Sequence, residues 1–188
     1  MDEPTLSGAL RRGDPAAVSV LFDRYGQRLL RSAYLLCGNE TEAQDLTQDT
    51  FVQAMRSAHR FRGGSSLYTW LHAILLNLVR HYHRKRRPIV CDDALAREQP
   101  DPGAEETPFA ADTALAHSRL GAALQTLSLP HREVLILRYF ENMRVDQIAA
   151  HAGVSRGTVK SRLHYAIAAL QRQLPEELNV FSAAGTKG

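Results

Sequence analysis

Residues 145–170 read VDQIAAHAGVSRGTVKSRLHYAIAAL, and this stretch decides the fold class. Ile148 and Ala149 sit on a first helix, where a residue as small as Ala149 lets a second helix cross closely. Gly153 supplies the positive φ of a tight turn, Val154 plugs the core beneath it, and Ser155 is placed to cap the second helix. Val159, Leu163, Ala166, Ile167 and Leu170 then form one apolar stripe at helical spacing. Lys160, Ser161 and His164 project away from that stripe, with Thr158 and Arg162 on its flanks. Arg156 stands at the N-terminal end, where the second helix of a helix-turn-helix meets base edges in the major groove. Arginine can read guanine through two hydrogen bonds, and Lys and Ser can hold phosphates. The alternative is a helical hairpin with a solvated charged face.

The flanking sequence has the same texture. Asp112 is expected to cap a helix reaching Leu127, and Pro130 to open another running through Phe140. A short helix near Val145–Ala150 and a longer one from Arg156 to Gln173 follow, with Pro175 as the stop. Nearer the N-terminus, Asp14 before Pro15 reads as a cap followed by proline at the first helical position. Val18, Leu21, Phe22, Tyr25, Leu29, Ala33 and Leu36 recur at helical spacing as far as Gly38. Thr41 and Gln44 are spaced as a capping box for a second helix, whose apolar positions include Ala43, Leu46, Phe51 and Ala54. Gly63-Gly64 breaks the chain, and Ser65 or Ser66 can cap a third helix carrying Leu67, Trp70, Leu71, Ile74, Leu75, Leu78 and Tyr82, ended by Pro88. Strand-type alternation is nearly absent, so the expectation is all-α: two small helical domains joined by a flexible acidic linker.

The linker is legible in the charge. Residues 1–90 carry 13 Lys/Arg against 8 Asp/Glu, a net +5; residues 91–112 carry 1 against 7, a net −6; residues 113–188 carry 9 against 5, a net +4. The acidic block also holds Pro100, Pro102, Gly103 and Pro108 and has no helical period, which suits a linker. The expected division is 1–90, linker 91–112, second domain 113–178 and a disordered tail over 179–188. Basic blocks suit a phosphate backbone. The acidic block is expected to fold back on the basic helix through Asp92, Asp93, Glu105 and Glu106. No run approaches the roughly 20 apolar residues of a membrane span, and Asp2-Glu3 does not open a signal peptide. A cytoplasmic protein with no membrane insertion is expected. Two cysteines, Cys37 and Cys91, make no disulfide framework.

The third helix ends in RHYHRKRR, residues 80–87, with Asn77, Arg80 and Arg84 along one side. Aromatics beside a basic helix suit single-stranded DNA, where bases stack and cations track phosphates, although Trp70 by spacing reads as core. Asp45, Gln48, Asp49 and Arg56 make one polar face on the second helix, which alone is an ordinary solvated surface. No catalytic constellation stands out. His81, His83 and Cys91 fit no strong zinc spacing, so neither metal nor cofactor is expected.

Taken together, EAQDLTQDTFVQA (42–54), FRGGSSLYTWLHAILLN (61–77) and LPHREVLILRYFENMRVDQIAAHAGVSRGTVKSRLHYA (129–166) resemble the extracytoplasmic-function group of sigma factors in the sigma-70 family of bacterial RNA polymerase. The resemblance implies a non-catalytic subunit that directs transcription initiation. It implies that Asp45, Leu46, Gln48, Asp49 and Phe51 dock on the clamp helices of the polymerase largest subunit, with the flap as a further contact. Ser66, Tyr68, Trp70, Asn77, Arg80 and Arg84 are then the candidates for the minus-ten element, and Arg156, Thr158, Lys160, Ser161 and Arg162 for the minus-thirty-five element. Promoter DNA and core polymerase are the implied partners, and members of the group are often held by an anti-sigma protein. Gln44, Arg80 and His81 depart from the family pattern, which bears on the minus-ten sequence read. The open alternatives are a conventional helix-turn-helix regulator acting without polymerase docking, for which the DLTQDTF and TWL segments are not needed, and a helical adaptor or enzyme with incidental basic surfaces.

Overall fold

A computed structural model describes residues 2–86 and 119–173. Every regular element among them is helical, and they form two compact units on either side of a boundary after residue 91. The acidic linker with Cys91, the proposed caps and stops at Asp112, Pro88 and Pro175, and the tail lie outside the described residues.

The first unit begins with a helix the apolar periodicity did not announce, α1 (Glu3–Arg11). Its cap is Asp2, whose carboxylate accepts from the Thr5 N–H at 3.1 Å; hydrogen bonds from Thr5 hold that carboxyl below its ordinary pKa. The helix is only nine residues long, so Leu6, Ala9 and Leu10 suffice to bury one side of it. α2 (Pro15–Cys37) starts as expected, with Asp14 Oδ1 accepting from the Ala16 N–H at 2.9 Å. It stops at Gly38, whose φ of 76° turns its N–H back to the Tyr34 carbonyl.

That left-handed stop also relocates the next cap. Asn39 is the first extended residue after Gly38, and its side chain accepts from the Glu42 N–H at 3.0 Å. α3 (Glu40–Ser57) therefore opens on Asn39, and the expected capping box of Thr41 and Gln44 falls inside the first turn. Ala43, Leu46, Phe51 and Ala54 are buried, as the pattern requires. Thr47 and Thr50 are buried with them because each hydroxyl donates to the carbonyl four residues back, Ala43 and Leu46, at 2.7 Å.

A 3-10 turn at Ala58–Arg60 leads to α4 (Leu67–Arg86). Leu21, Leu29, Leu36, Leu67, Leu71, Leu75, Leu76 and Val79 are almost completely buried between α2, α3 and α4. Each such side chain contributes about 1.5–3 kcal/mol by leaving water. Phe22 differs from its expected place in the core: it is 51% exposed, with its ring 5.1 Å from that of Phe51. His72 is the converse case. It is fully buried on α4, hydrogen-bonded through Nε2 to Ser32 Oγ of α2 at 2.7 Å.

In the second unit the described residues open in a helix, α5, over 119–125, followed by α6 (Leu129–Leu135). Arg132 is 4% exposed in α6 and joins the two helices. Its guanidinium donates to the Gln125 and Leu127 carbonyls at 3.1 and 2.9 Å and to the Gln125 side chain. It thus satisfies carbonyls that the end of α5 leaves without intrahelical donors. The expected helix to Phe140 is present, but its last turn, Ile136–Phe140, is a π-turn closed by the Glu141 N–H on the Ile136 carbonyl at 3.0 Å. Asn142 then takes a φ of 53°, tolerable for asparagine, and Arg138 holds the Met143 carbonyl at 3.1 Å. α7 (Val145–Ala152) and α8 (Arg156–Gln171) complete the unit over a core that includes Leu124, Val134, Ile136, Ile148, Val159 and Leu170.

Candidate nucleic-acid and partner interfaces

The turn between α7 and α8 has the geometry its sequence required. Gly153 has a φ of 70°, and both its N–H and that of Val154 return to the Ala149 carbonyl. Ser155 Oγ accepts from the Thr158 N–H at 3.0 Å, capping α8. Val154 is only half-buried, so the turn is closed more by backbone than by a plug. Val159, Leu163, Ala166 and Leu170 face inward and Ile167 sits at the edge. Arg156, Lys160 and Ser161 are exposed together, while Thr158 and Arg162 are half-buried on the flanks. Thr158 lends its hydroxyl to Ser155 at 2.9 Å, so it is already engaged in the cap.

Two features of this surface were not signalled by the motif. Tyr165, 64% exposed, stands edge-on to His164 with ring centres 5.6 Å apart; its place opposite the apolar stripe was the available signal. His131 of α6 hydrogen-bonds Ser128 Oγ through Nδ1 at 2.7 Å. Burial, and then the charge of Arg162, hold its pKa below the ordinary value of 6.5.

In the first unit the loop between the 3-10 turn and α4 is the most open feature. Phe61 is buried, its ring 5.1 Å from that of Trp70, while residues 62–66 are all exposed and Gly63 has a φ of 75°. Ser66 caps α4, accepting from the Thr69 N–H at 3.1 Å. Trp70, which by spacing reads as core, is only half-buried. Tyr68 is buried, with the Arg28 guanidinium 3.8 Å over its ring and the Tyr25 ring 5.6 Å away. Asn77 and Arg84 are exposed and Arg80 half-buried along α4; Arg84 donates to His81 Nδ1 at 3.1 Å.

α3 separates its candidates by face. Asp45, Gln48 and Asp49 are exposed at three- and four-residue spacing, and the exposed apolar residues Val52 and Met55 continue that face. Leu46 and Phe51 are turned inward at 6% and 5% exposure, holding α3 to its neighbours. Among the described residues no cluster of His, Cys, Asp or Glu has the make-up of a metal site. No helix among them is long and apolar enough to cross a membrane.

A helix-turn-helix unit and, in the same chain, a second helical unit with a basic helix and an open loop define the class of DNA-binding transcription proteins. Comparison with known proteins makes this specific. The Sigma-70 region 2 family matches residues 21–89, and the Sigma-70 region 4 family matches residues 123–172. The chain is 35% identical over 177 residues to the ECF RNA polymerase sigma factor SigE of Mycolicibacterium smegmatis, covering 87% of this chain and 65% of that one. It is 30% identical over 172 residues to the ECF RNA polymerase sigma factor SigL of Mycobacterium tuberculosis, covering 91% and 96%. Among solved structures, CnrH in complex with the cytosolic domain of CnrY matches with a TM-score of 0.67 and 26% identity, over 90% of this chain and 95% of that one. The sigma factor RpoE in complex with the anti-sigma factor NepR, from Bartonella quintana, matches with a TM-score of 0.62 and 27% identity, over 82% and 94%. The chain belongs to the extracytoplasmic-function group of the sigma-70 family and is an RNA polymerase sigma factor.

Proposed function

We propose that the two units divide promoter recognition between them, with polymerase docking carried by the first. The exposed row Asp45, Gln48 and Asp49 on α3, set opposite the buried row of the same helix, carries this reading. It is a rigid polar face suited to the clamp helices of the polymerase largest subunit. Leu46 and Phe51 support that face from inside. The loop over residues 62–66 and the exposed side of α4 take the minus-ten element. There Ser66, Trp70, Asn77, Arg80 and Arg84 hold unstacked bases and phosphates, and Tyr68 acts through Arg28 above its ring. Base stacking on aromatic groups is worth about 1–3 kcal/mol per base, which helps offset strand opening.

α8 takes the minus-thirty-five element as duplex. Arg156 reads base edges at the entry end, while Lys160, Ser161 and Arg162 hold phosphates and Thr158 keeps the helix start in register. The functional domains are 1–90 and 113–178, and 91–112 connects them. The protein acts in the cytoplasm by binding, without catalysis of its own. Both solved neighbours are complexes, one of them with an anti-sigma factor, which supports a comparable inhibitor for this chain.

The test is a pull-down and transcription assay with purified bacterial core polymerase, comparing wild type with the Asp45→Arg/Gln48→Ala double variant. The wild type is expected to bind core and initiate at a discrete promoter, and the double variant to fail at both. A wild type that binds a DNA site but not core polymerase overturns the docking assignment.

A further inference from the structure

A hydrogen bond between residues 64 apart in sequence runs from the N–H of Leu67, the first residue of α4, to the carboxylate of Glu3, the first residue of α1. We propose that Glu3 is a positioning residue for minus-ten recognition and that α1 thereby holds the DNA-reading loop in shape. This rests on the assignment of loop 62–66 and α4 to the minus-ten element.

Both ends of the loop are attached to α1. At its start, the 3-10 turn Ala58–Arg60 packs on α1, and Phe61 donates its N–H to the Ala58 carbonyl at 3.1 Å while its ring lies beside Trp70. At its end, the first turn of α4 presents N–H groups with no intrahelical acceptor. Ser66 takes the one on Thr69, and Glu3 takes the one on Leu67. α1 therefore fastens both ends of a span whose residues 62–66 are all exposed and which includes Gly63 in the left-handed region. Within the span itself, Ser65 bonds only its neighbour's carbonyl, at 3.4 Å.

α4 does not depend on Glu3 to be a helix. It is 20 residues long, and Leu67, Leu71, Leu75, Leu76 and Val79 anchor it in the core. Loss of the carboxylate thus frees the first turn and the loop, not the unit. A side-chain cap is worth about a fivefold change in the population it holds.

The experiment uses holoenzyme reconstituted with core polymerase. A promoter is first obtained by selecting, with the wild type, from duplex DNA randomised across the minus-thirty-five to minus-ten span. Glu3→Ala and Glu3→Gln are then compared on that promoter by permanganate reactivity of unpaired thymines. Affinity is measured for the non-template minus-ten single strand, for the minus-thirty-five duplex and for core polymerase. Glu3→Ala is expected to weaken minus-ten strand binding and slow opening about fivefold, leaving the other two affinities unchanged. Glu3→Gln, which keeps an accepting oxygen, should recover most of the loss. Opening by Glu3→Ala at the wild-type rate overturns the proposal, as does an equal loss in both variants or a parallel loss of all three affinities. A wild type that shows no preference for the minus-ten strand over a scrambled strand overturns the underlying assignment of the loop instead.

Discussion

Replacing Gly153 by alanine isolates the backbone contribution to the helix-turn-helix. A Cβ added there would meet nothing within 4 Å, so crowding costs nothing. The φ of 70° remains, and an L-residue with a Cβ in that region is disfavoured by about 1–2 kcal/mol. Alanine also stiffens the unfolded chain, which returns part of that cost. The expected net loss is about 1 kcal/mol, or roughly a 5 °C fall in the melting temperature of a domain this small. The chain has a single tryptophan, Trp70, and it lies in the first unit. Tryptophan fluorescence therefore follows the first unit alone, while far-ultraviolet circular dichroism follows both. In Gly153→Ala the dichroism transition should move down and the fluorescence transition should stay. Gly153→Asn should lose less, because asparagine enters the left-handed region more readily. An alanine variant as stable as wild type, or an asparagine variant as damaged as the alanine one, refutes the backbone account.

Acidification should weaken the second unit through His131. Burial and Arg162 keep its imidazole neutral in the fold, so below pH 6.5 the unfolded chain takes up the proton first. Its contribution is complete above pH 6.5 and is lost as the pH falls through the depressed folded value; melting at a series of pH values should show a steeper acid decline in wild type than in His131→Gln. Ser32→Ala removes a buried partner of His72 and should destabilise the first unit by about 1–3 kcal/mol, read by Trp70 fluorescence in urea. Lys160→Ala should weaken duplex binding about equally across sequences and reduce the salt slope by about 1, whereas Arg156→Ala should relax preference at a particular base pair; competition binding at several salt concentrations separates the two.

Much of this protein was determined by sequence alone, because its signals are local. Asp14-Pro15, Gly38, Ser66, Gly153 and Ser155 act on their own neighbours, and each turns or caps a helix where its chemistry says it should. The apolar stripes of α3 and α8 depend only on helical period, and most of their members are buried. The exposed candidates Asp45, Gln48, Asp49, Arg156, Lys160 and Ser161 were legible for the same reason, since a residue opposite a buried stripe faces water.

The tertiary structure decided whatever depends on residues distant in sequence. Nothing local says that Glu3 will meet Leu67, that Ser32 will meet His72, or that Arg28 will cover Tyr68. α1 was missed because nine residues with three buried side chains make a weak periodic signal. Phe22 lies half-exposed against the Phe51 ring of another helix, whereas Thr47, Thr50 and Arg132 are buried because each polar group has a partner within reach. Period and capping are properties of a few consecutive residues, whereas a hydrogen bond between helices exists only once packing has set their separation.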